Sequence, residues 1–71
     1  MIAAYGFDEN NKIVKDEEGK TIFAVKNGDG MDGWAIIRGS FQEAVKNCLT
    51  KRQAIGYLAS NGATVIRKGN F

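Results

Sequence analysis

Short apolar segments alternate with turn-forming clusters through the first half of this chain. The segments IAAYGF, KIVK, TIFAVK and WAIIR are rich in β-branched or aromatic residues, and each is too short for a typical helix. DENN separates the first two segments, and DEEG, whose Gly19 can supply a positive φ, separates the next two. The pattern predicts a meander of three or four antiparallel strands over residues 2–39.

Helical signals replace the strand pattern in the second half of the chain. Ser40 with Glu43, and Thr50 with Gln53, have the spacing of capping boxes, in which the two side chains satisfy amides at a helix start. Apolar residues after the first box recur at helical spacing: Phe41, Ala44, Val45 and Cys48. These signals predict helix over residues 41–60, as two short helices or one bent helix.

The end of the helical region and the last apolar segment complete the predicted fold. Asn61-Gly62 is a typical helix stop, and ATVIRK, rich in β-branched residues, is expected to return to the sheet as a strand. We expect Ile55, Leu58 and Ala59 to share the buried face of the helix. The predicted architecture is one α+β domain over residues 1–71: a small antiparallel sheet built as a β-meander, then the helix or two short helices, then a final strand, with the helix packed on one face.

The small size of the chain limits its stability. A core built from 71 residues rarely supplies more than about 3 to 5 kcal/mol without a staple, and the sole cysteine, Cys48, cannot form an intrachain disulfide. Nine glycines and no proline raise the entropic cost of folding. The chain is therefore expected to be either a modestly stable monomer or a protein that gains stability from a partner, such as a second copy in a homodimer.

Cysteine usage and apolar run lengths predict the cellular setting. One cysteine, and an N-terminal stretch MIAAYGFDEN without the features of a secretory leader, favour a reducing, cytoplasmic location. The apolar runs are far shorter than the roughly 18 residues that a bilayer-spanning helix needs, so no membrane partner is predicted.

The segment GDGMDG, from Gly28 to Gly33, has the G-x-G-x-x-G spacing of a nucleotide-binding loop. Such a loop leads from a strand into a helix, whose start faces the phosphates, whereas Gly33 leads into the predicted strand WAIIR. A kinase-type glycine loop does lie between strands, but the rest of a kinase domain does not fit in this chain. Asp29 and Asp32 would also repel a phosphate. The segment is therefore predicted to be a hairpin loop that binds neither a cofactor nor a metal.

Residue types restrict the chemistry further. With no histidine and one cysteine, the chain has no Cys/His zinc site, no imidazole base and no catalytic triad of the usual kind. Cys48 lies on the predicted apolar stripe and is expected to be buried and inert. The acidic residues Asp16, Glu17 and Glu18 adjoin a turn glycine and are expected to be solvated. The sequence therefore predicts a protein that is not an enzyme and that uses no cofactor.

Charge is distributed unevenly along the chain. Residues 1–33 contain four lysines and seven acidic residues, whereas residues 34–71 contain six basic residues and Glu43 as the one acid. This asymmetry predicts a basic contact surface in the C-terminal half. The predicted partner-binding residues are Arg38, Lys51, Arg52, Arg67 and Lys68.

A basic surface of this kind suits nucleic acid, with phosphates on the cations and Trp34, Tyr57 or Phe71 stacked on bases. The alternative is that the charges keep element ends soluble while Trp34 and Tyr57 lie in the core. The order of three strands and a helix opening with TKRQAIGYLASNG, over residues 20–62, loosely resembles the arm-binding domains of phage integrases. The resemblance implies a three-stranded sheet that reads DNA with a helix behind it. It does not extend to a matching set of base-reading side chains.

Elimination leaves two hypotheses for function. The first is a small binding protein that acts through protein–protein contact, of the kind that mobile elements encode as regulators or inhibitors. The second is a nucleic-acid-binding module that uses the basic C-terminal half. Salt dependence separates them, because phosphate contacts make affinity fall steeply with salt.

Overall fold

A computed structural model describes residues 2–39 and 43–70 of the chain. Within these residues, five strands form one antiparallel sheet and one helix packs against it. The elements are β1 (Ile2–Phe7), β2 (Ile22–Lys26), β3 (Trp34–Arg38), β4 (Glu43–Leu49), α1 (Lys51–Ser60) and β5 (Val65–Asn70). The strand order is β4-β3-β2-β1-β5, so the meander lies in chain order and the last strand returns beside the first. The predicted α+β architecture is confirmed.

Two turns of the same construction connect β1 to β2. The Oδ1 atoms of Asp8 and Asp16 each accept hydrogen bonds from the amides two and four residues later, at 2.8 to 3.0 Å. Asn11 and Gly19, each three residues after the aspartate, have φ of 60° and 79°. Asparagine and glycine tolerate this left-handed conformation best, so DENNK and DEEGK specify the same tight hairpin turn.

The segment between these turns takes part in the sheet only briefly. Val14 donates its amide hydrogen to Gly6 O and accepts one from Ile22 N at its carbonyl, so it lies between the ends of β1 and β2. The predicted strand KIVK is thus reduced to two isolated bridges, which join Ile13 to Phe7 and Lys15 to Thr21. Val14 still contributes a buried side chain to the core.

The glycine-rich segment is the hairpin loop between β2 and β3. Those strands are antiparallel, and Asn27 N donates a hydrogen bond of 2.6 Å to Gly33 O at the base of the loop. A side chain on Gly33 would bring a Cβ within 2.5 Å of Gly28 O, so the loop closes only with glycine there. The predicted strand-to-strand connection is confirmed. The second and third glycines of the motif therefore have structural explanations, since Gly30 has a φ of 86° and Gly33 lies against Gly28.

Replacing Gly33 with alanine tests this explanation. Gly33→Ala should lower the free energy of unfolding by about 1 to 3 kcal/mol, because the new methyl group meets backbone that cannot move aside. Gly28→Ala is the matched control, since a Cβ there meets nothing within 4 Å and its φ is not positive. Urea denaturation of both variants measures the difference. Equal stability of the two variants would contradict the proposed close approach.

The main core lies between the sheet and α1. Ala54 and Leu58, one helical turn apart, are fully buried against the central strands. The sheet contributes Ala4, Val14, Ile22, Ala24, Trp34 and Ile36. Gly6 allows the close packing beneath the helix, because a Cβ there would lie 2.7 Å from that of Ala63.

The opposite face of the sheet is also apolar. Ala3, Phe23, Val25, Ala35 and Ile37 are buried there, and the ring of Tyr5 stacks on that of Phe23 with centroids 5.3 Å apart. Alternate residues of the three central strands thus face two apolar clusters. This explains why their sequences are nearly continuous apolar runs rather than polar–apolar alternations.

The prediction of a helix over residues 41–49 is wrong for the part that the structure describes. Residues 43–49 form β4, which pairs with β3 through irregular register shifts, while Ser40 and Phe41 lie outside the described residues. Glutamate, alanine and lysine in this segment favour helix locally. Pairing with the outer backbone groups of β3 outweighs that preference, because a strand position in a sheet is set by tertiary contacts.

The predicted burial of Cys48 is also wrong. The residue is exposed on edge strand β4, with a φ of 58°, where the register against β3 is irregular. Ala44 is exposed and Val45 is half-buried, so the apolar spacing did not mark a buried helical stripe. The thiol is therefore accessible to solvent.

Thiol labelling measures this accessibility directly. In native protein, Cys48 should react with a neutral thiol reagent at nearly the rate found in urea, because no packing shields it. The sequence contains one cysteine, so Cys48→Ser supplies the blank. Labelling that appears only after unfolding would show that the thiol is protected.

Helix α1 begins and ends as the sequence predicts. Thr50 Oγ1 accepts a hydrogen bond from Gln53 N, and Gln53 Oε1 accepts one from Thr50 N, which completes the capping box. At the other end Gly62, with a φ of 101°, follows the C-cap Asn61. Over residues 43–60 the structure has a strand and then this one helix, so neither two short helices nor one bent helix is present there. Its buried face is centred on Ala54 and Leu58, whereas Ile55 is half-buried and Ala59 is exposed, which corrects the predicted face.

Candidate functional site: a cationic pocket at the start of the helix

One row of paired residues crosses the sheet beside the start of the helix. Ile2 on β1 pairs with Lys26 on β2, Lys26 pairs with Trp34 on β3, and Trp34 pairs with Leu49 on β4. Because directly paired residues point to the same side of a sheet, this row shares the face that α1 covers. The chain leaves β4 at Leu49 and enters the helix at once, so the first turn of α1 lies at the end of this row.

The row and the first helical turn border an open cavity of about 600 Å³. Its apolar wall comes from Ile2, Trp34 and Met31, of which Met31 is 79% exposed at the tip of the glycine loop. Its cationic rim consists of Lys26, Lys51, Arg52 and Lys68. We call this site the cationic pocket.

The cations of this pocket have no acidic partner in the described part of the chain. The ion pairs found there all involve Arg38, at a different place in the fold. Asp29 and Asp32 belong to the same glycine loop as Met31 but form no ion pair with the pocket. The described lining of the pocket contains no carboxylate. Its positive charge is therefore uncompensated.

Lys51 and Lys68 line the same cavity although both side chains are basic. Lys51 belongs to the first turn of α1 and Lys68 to β5, so two separate elements hold the pair together. A hydrogen bond from Lys51 to the neutral amine of Lys68, together with the like charge of Lys51, lowers the pKa of Lys68 below the ordinary value. An anion in the pocket would remove this repulsion.

The helix start adds to the positive potential. The first turn of α1 contains Lys51 and Arg52 and no acidic residue, and the last turn contains no basic residue. A helix start carries a partial positive charge, so cations there are unfavourable by about 0.3 to 1 kcal/mol each. The two side chains are therefore placed where they oppose helix stability and favour the approach of an anion.

The structure separates Arg38 from the predicted basic surface. Its guanidinium contacts Asp16 Oδ2 at 2.5 Å, Glu18 at 3.2 Å and Glu43 at 3.3 Å. The side chain of Asp16 is only 6% exposed. The amide of Lys20, together with Arg38, holds the pKa of Asp16 below its ordinary value. Arg38 thus ties the second turn of the β1–β2 connection to β3 and β4, and its charge is already compensated.

Arg67 is separated as well. It pairs with Tyr5 across β5 and β1, which places it on the face opposite α1, one residue away from Lys68 on the other face. Its guanidinium lies 4.7 Å from the ring centroid of Phe7 and donates a hydrogen bond of 3.1 Å to Asn11 Oδ1. Of the five predicted residues, the structure brings Lys51, Arg52 and Lys68 together and places Arg38 and Arg67 elsewhere.

Sequence reasoning missed three contributors to the pocket. Lys26 belongs to the acidic half of the chain, and Met31 lies in the glycine loop, whose residue pattern indicates only a connector. Ile2 lies at the start of the first strand. Their common signal was positional, since strand pairing in a meander brings the start of β1 beside the end of β2. The predicted meander therefore already implies that Ile2 and Lys26 are neighbours.

The aromatic residues proposed for base stacking have different settings. Trp34 is 5% exposed and belongs to the core, so its ring faces are unavailable to a base. Tyr57 is half-buried near the other end of α1, with Lys46 Nζ 5.8 Å from its ring centroid. Phe71 lies outside the described residues.

No helix in the described part of the chain is long and apolar enough to cross a bilayer. Likewise, no cluster of three or more His, Cys, Asp or Glu side chains suited to a metal occurs among residues 2–39 and 43–70. Comparison with known proteins gave no significant match to a family model, a curated protein or a solved structure. The candidate site therefore stands on its geometry and charge.

Replacing Lys51 with glutamine tests the electrostatics of the pocket. In Lys51→Gln, the pKa of Lys68 should rise toward its ordinary value, because the like charge is removed. The free energy of unfolding should rise by about 0.3 to 1 kcal/mol, since a cation leaves the helix start and glutamine matches lysine in helix propensity. NMR titration of the lysine side chains and urea denaturation give the two quantities.

The exposed Lys12 provides the matched control, because its side chain has no described contact. Lys12→Gln removes the same charge from the β1–β2 connection and should leave the pKa of Lys68 unchanged. If Lys51→Gln behaves like Lys12→Gln in both measurements, the two ammonium groups do not interact.

Proposed function

We propose that this protein is a small non-enzymatic binding protein whose partner is another protein, bound through the cationic pocket. The observation that supports this proposal is the uncompensated charge of Lys26, Lys51, Arg52 and Lys68 around a cavity with an apolar wall. A segment with both carboxylates and an apolar side chain complements such a site. The partner is therefore expected to present an acidic, partly apolar segment.

Exposed apolar side chains favour a protein partner over nucleic acid. Met31 and Ile2 are 79% and 43% exposed beside the cations. Interfaces between proteins are enriched in methionine and arginine, and an apolar anchor in a desolvated pocket contributes much of their affinity. A phosphate backbone would leave this apolar surface without a partner.

The distribution of charge also argues against an extended nucleic acid. The site is one compact cluster, and the residues around the far end of α1 include Asp16, Glu17 and Glu18. An extended strand needs a basic groove with stacking platforms, and Trp34 is too buried to provide one. The sheet face opposite the helix, which the integrase resemblance would use for DNA, has an apolar centre with Arg67 on its edge strand β5. Binding to nucleic acid through the basic cluster remains the alternative that the experiment must exclude.

A role as a regulator or inhibitor of the kind that mobile elements encode fits a protein of this size, since a binding surface is sufficient for it. Such a protein acts by occupying a surface of its target. The pocket gives that surface a defined chemistry, because acidic targets are favoured and basic ones are repelled.

Affinity capture from native lysate tests the proposal. The unmodified protein should recover the same protein partner with and without nuclease treatment. The double variant Lys51→Gln/Lys68→Gln should lose it, because it removes two of the four cations around the pocket. The control Lys12→Gln/Lys15→Gln removes the same total charge from exposed residues outside the pocket and should retain the partner.

Two outcomes would contradict the proposal. One is capture that disappears with nuclease, or steeply salt-dependent binding of an oligonucleotide, which would identify nucleic acid as the ligand. The other is recovery of the same proteins by the pocket variant and the control, which would place the contact elsewhere.

A further inference from the structure

The basic side chains of this protein differ in how fully their charge is matched. Arg38 has three carboxylates within 3.3 Å, and Arg67 has the Phe7 ring and Asn11. The pocket cations have no such partners among the described residues. The exposed Lys12, Lys15 and Lys20 have no described carboxylate partner either, so the pocket differs in that four cations line one cavity, where they are suited to an external anion.

The position of Lys51 and Lys68 on one cavity constrains what that anion is. Two lysines held there by separate elements present two positive charges to the same anion when both are protonated. A carboxylate brings one negative charge and two oxygens. A phosphoryl group on a side chain brings a charge of about −1.5 to −2 and three strong acceptor oxygens, which matches the pair more closely.

Phosphodiesters and free phosphate fit the site less well. An internal phosphodiester carries one negative charge, so it matches the lysine pair no better than a carboxylate does. Free phosphate matches the charge but leaves the wall formed by Ile2, Met31 and Trp34 uncovered in a cavity of about 600 Å³. A phosphorylated side chain within a peptide supplies the dianion and covers the apolar wall with neighbouring residues.

We propose that the Lys51–Lys68 pair is the subsite for a phosphoryl group on a side chain of the partner protein, with Lys26 and Arg52 binding adjacent acidic groups. This inference rests on the proposed function, because it names the chemistry of the segment that the cationic pocket binds. Lysine serves as a compact charge for phosphate, and the exposed position of the pair leaves it open to an approaching segment. Binding thereby becomes dependent on modification of the partner.

A peptide-capture experiment tests the subsite. The probe is a tryptic digest of a native lysate, divided into an untreated half and a half treated with phosphatase. The immobilised protein should enrich phosphorylated peptides from the untreated half, and phosphatase treatment should reduce capture of the same sequences about tenfold, as expected for loss of strong charge-assisted contacts. Lys51→Gln/Lys68→Gln should abolish this preference, and Lys12→Gln/Lys15→Gln should preserve it.

A second measurement uses inorganic phosphate as the probe. NMR signals of the Lys51 and Lys68 side chains should shift on titration with phosphate at constant ionic strength, while those of Lys12 and Lys15 should not. Equal shifts at all four lysines would overturn the subsite, because they would show general screening of charge.

The outcomes separate the subsite from the proposed function. If acidic peptides bind the pocket equally before and after phosphatase treatment, the phosphoryl subsite is wrong and the protein-binding function stands. If no peptide binds and the pocket variants capture the same lysate proteins as the unmodified protein, both are wrong. Tight binding of an oligonucleotide without a terminal phosphate would also overturn the subsite, because internal phosphodiesters would then suffice.

Discussion

The pairing of β4 with β3 is the constraint on which the rest of this structure depends. Strand β3 leaves a row of unpaired backbone groups on its outer side, and residues 43–49 satisfy them although their composition favours helix. This pairing brings the chain to Leu49 beside Trp34, so α1 starts at the end of the cross-strand row. The helix then crosses the sheet and delivers β5 to the far edge beside β1. The cationic pocket exists because these steps converge at one corner.

The positions of the basic residues in the pocket lower local stability. Lys51 and Arg52 oppose the helix dipole, and Lys51 repels Lys68. Arg38, by contrast, is surrounded by three carboxylates that match its charge. Local rules are broken in natural proteins mostly where function requires it. The proposed binding function would account for cations that local stability does not favour.

Elements with signals confined to a few residues were predictable from the sequence. The capping box of Thr50 and Gln53, the stop at Gly62 and the glycine hairpin follow from local backbone chemistry. The same kind of box at Ser40 and Glu43 gave a wrong prediction of helix, because Glu43 is the first residue of β4, which pairs with β3. Part of the site was predictable as a basic surface. Lys26 belongs to it because of strand pairing, which a count of charges along the chain does not show. Arg38 and Arg67 lie outside it, because Arg38 pairs with carboxylates and Arg67 is on the other face of the sheet.

The two ends of α1 carry opposite charge, and this arrangement affects how the molecule meets another. Lysines and an arginine surround the first turn, while Glu17 and Glu18 line a cavity with the last turn, about 15 Å away by the rise of a ten-residue helix. The basic side chains lie at the positive end of the helix dipole and the acidic ones at its negative end, so the two fields add. An approaching acidic surface exerts a torque that turns the pocket toward it before contact. Encounter is therefore faster at low ionic strength and slows as salt shortens the range of the field.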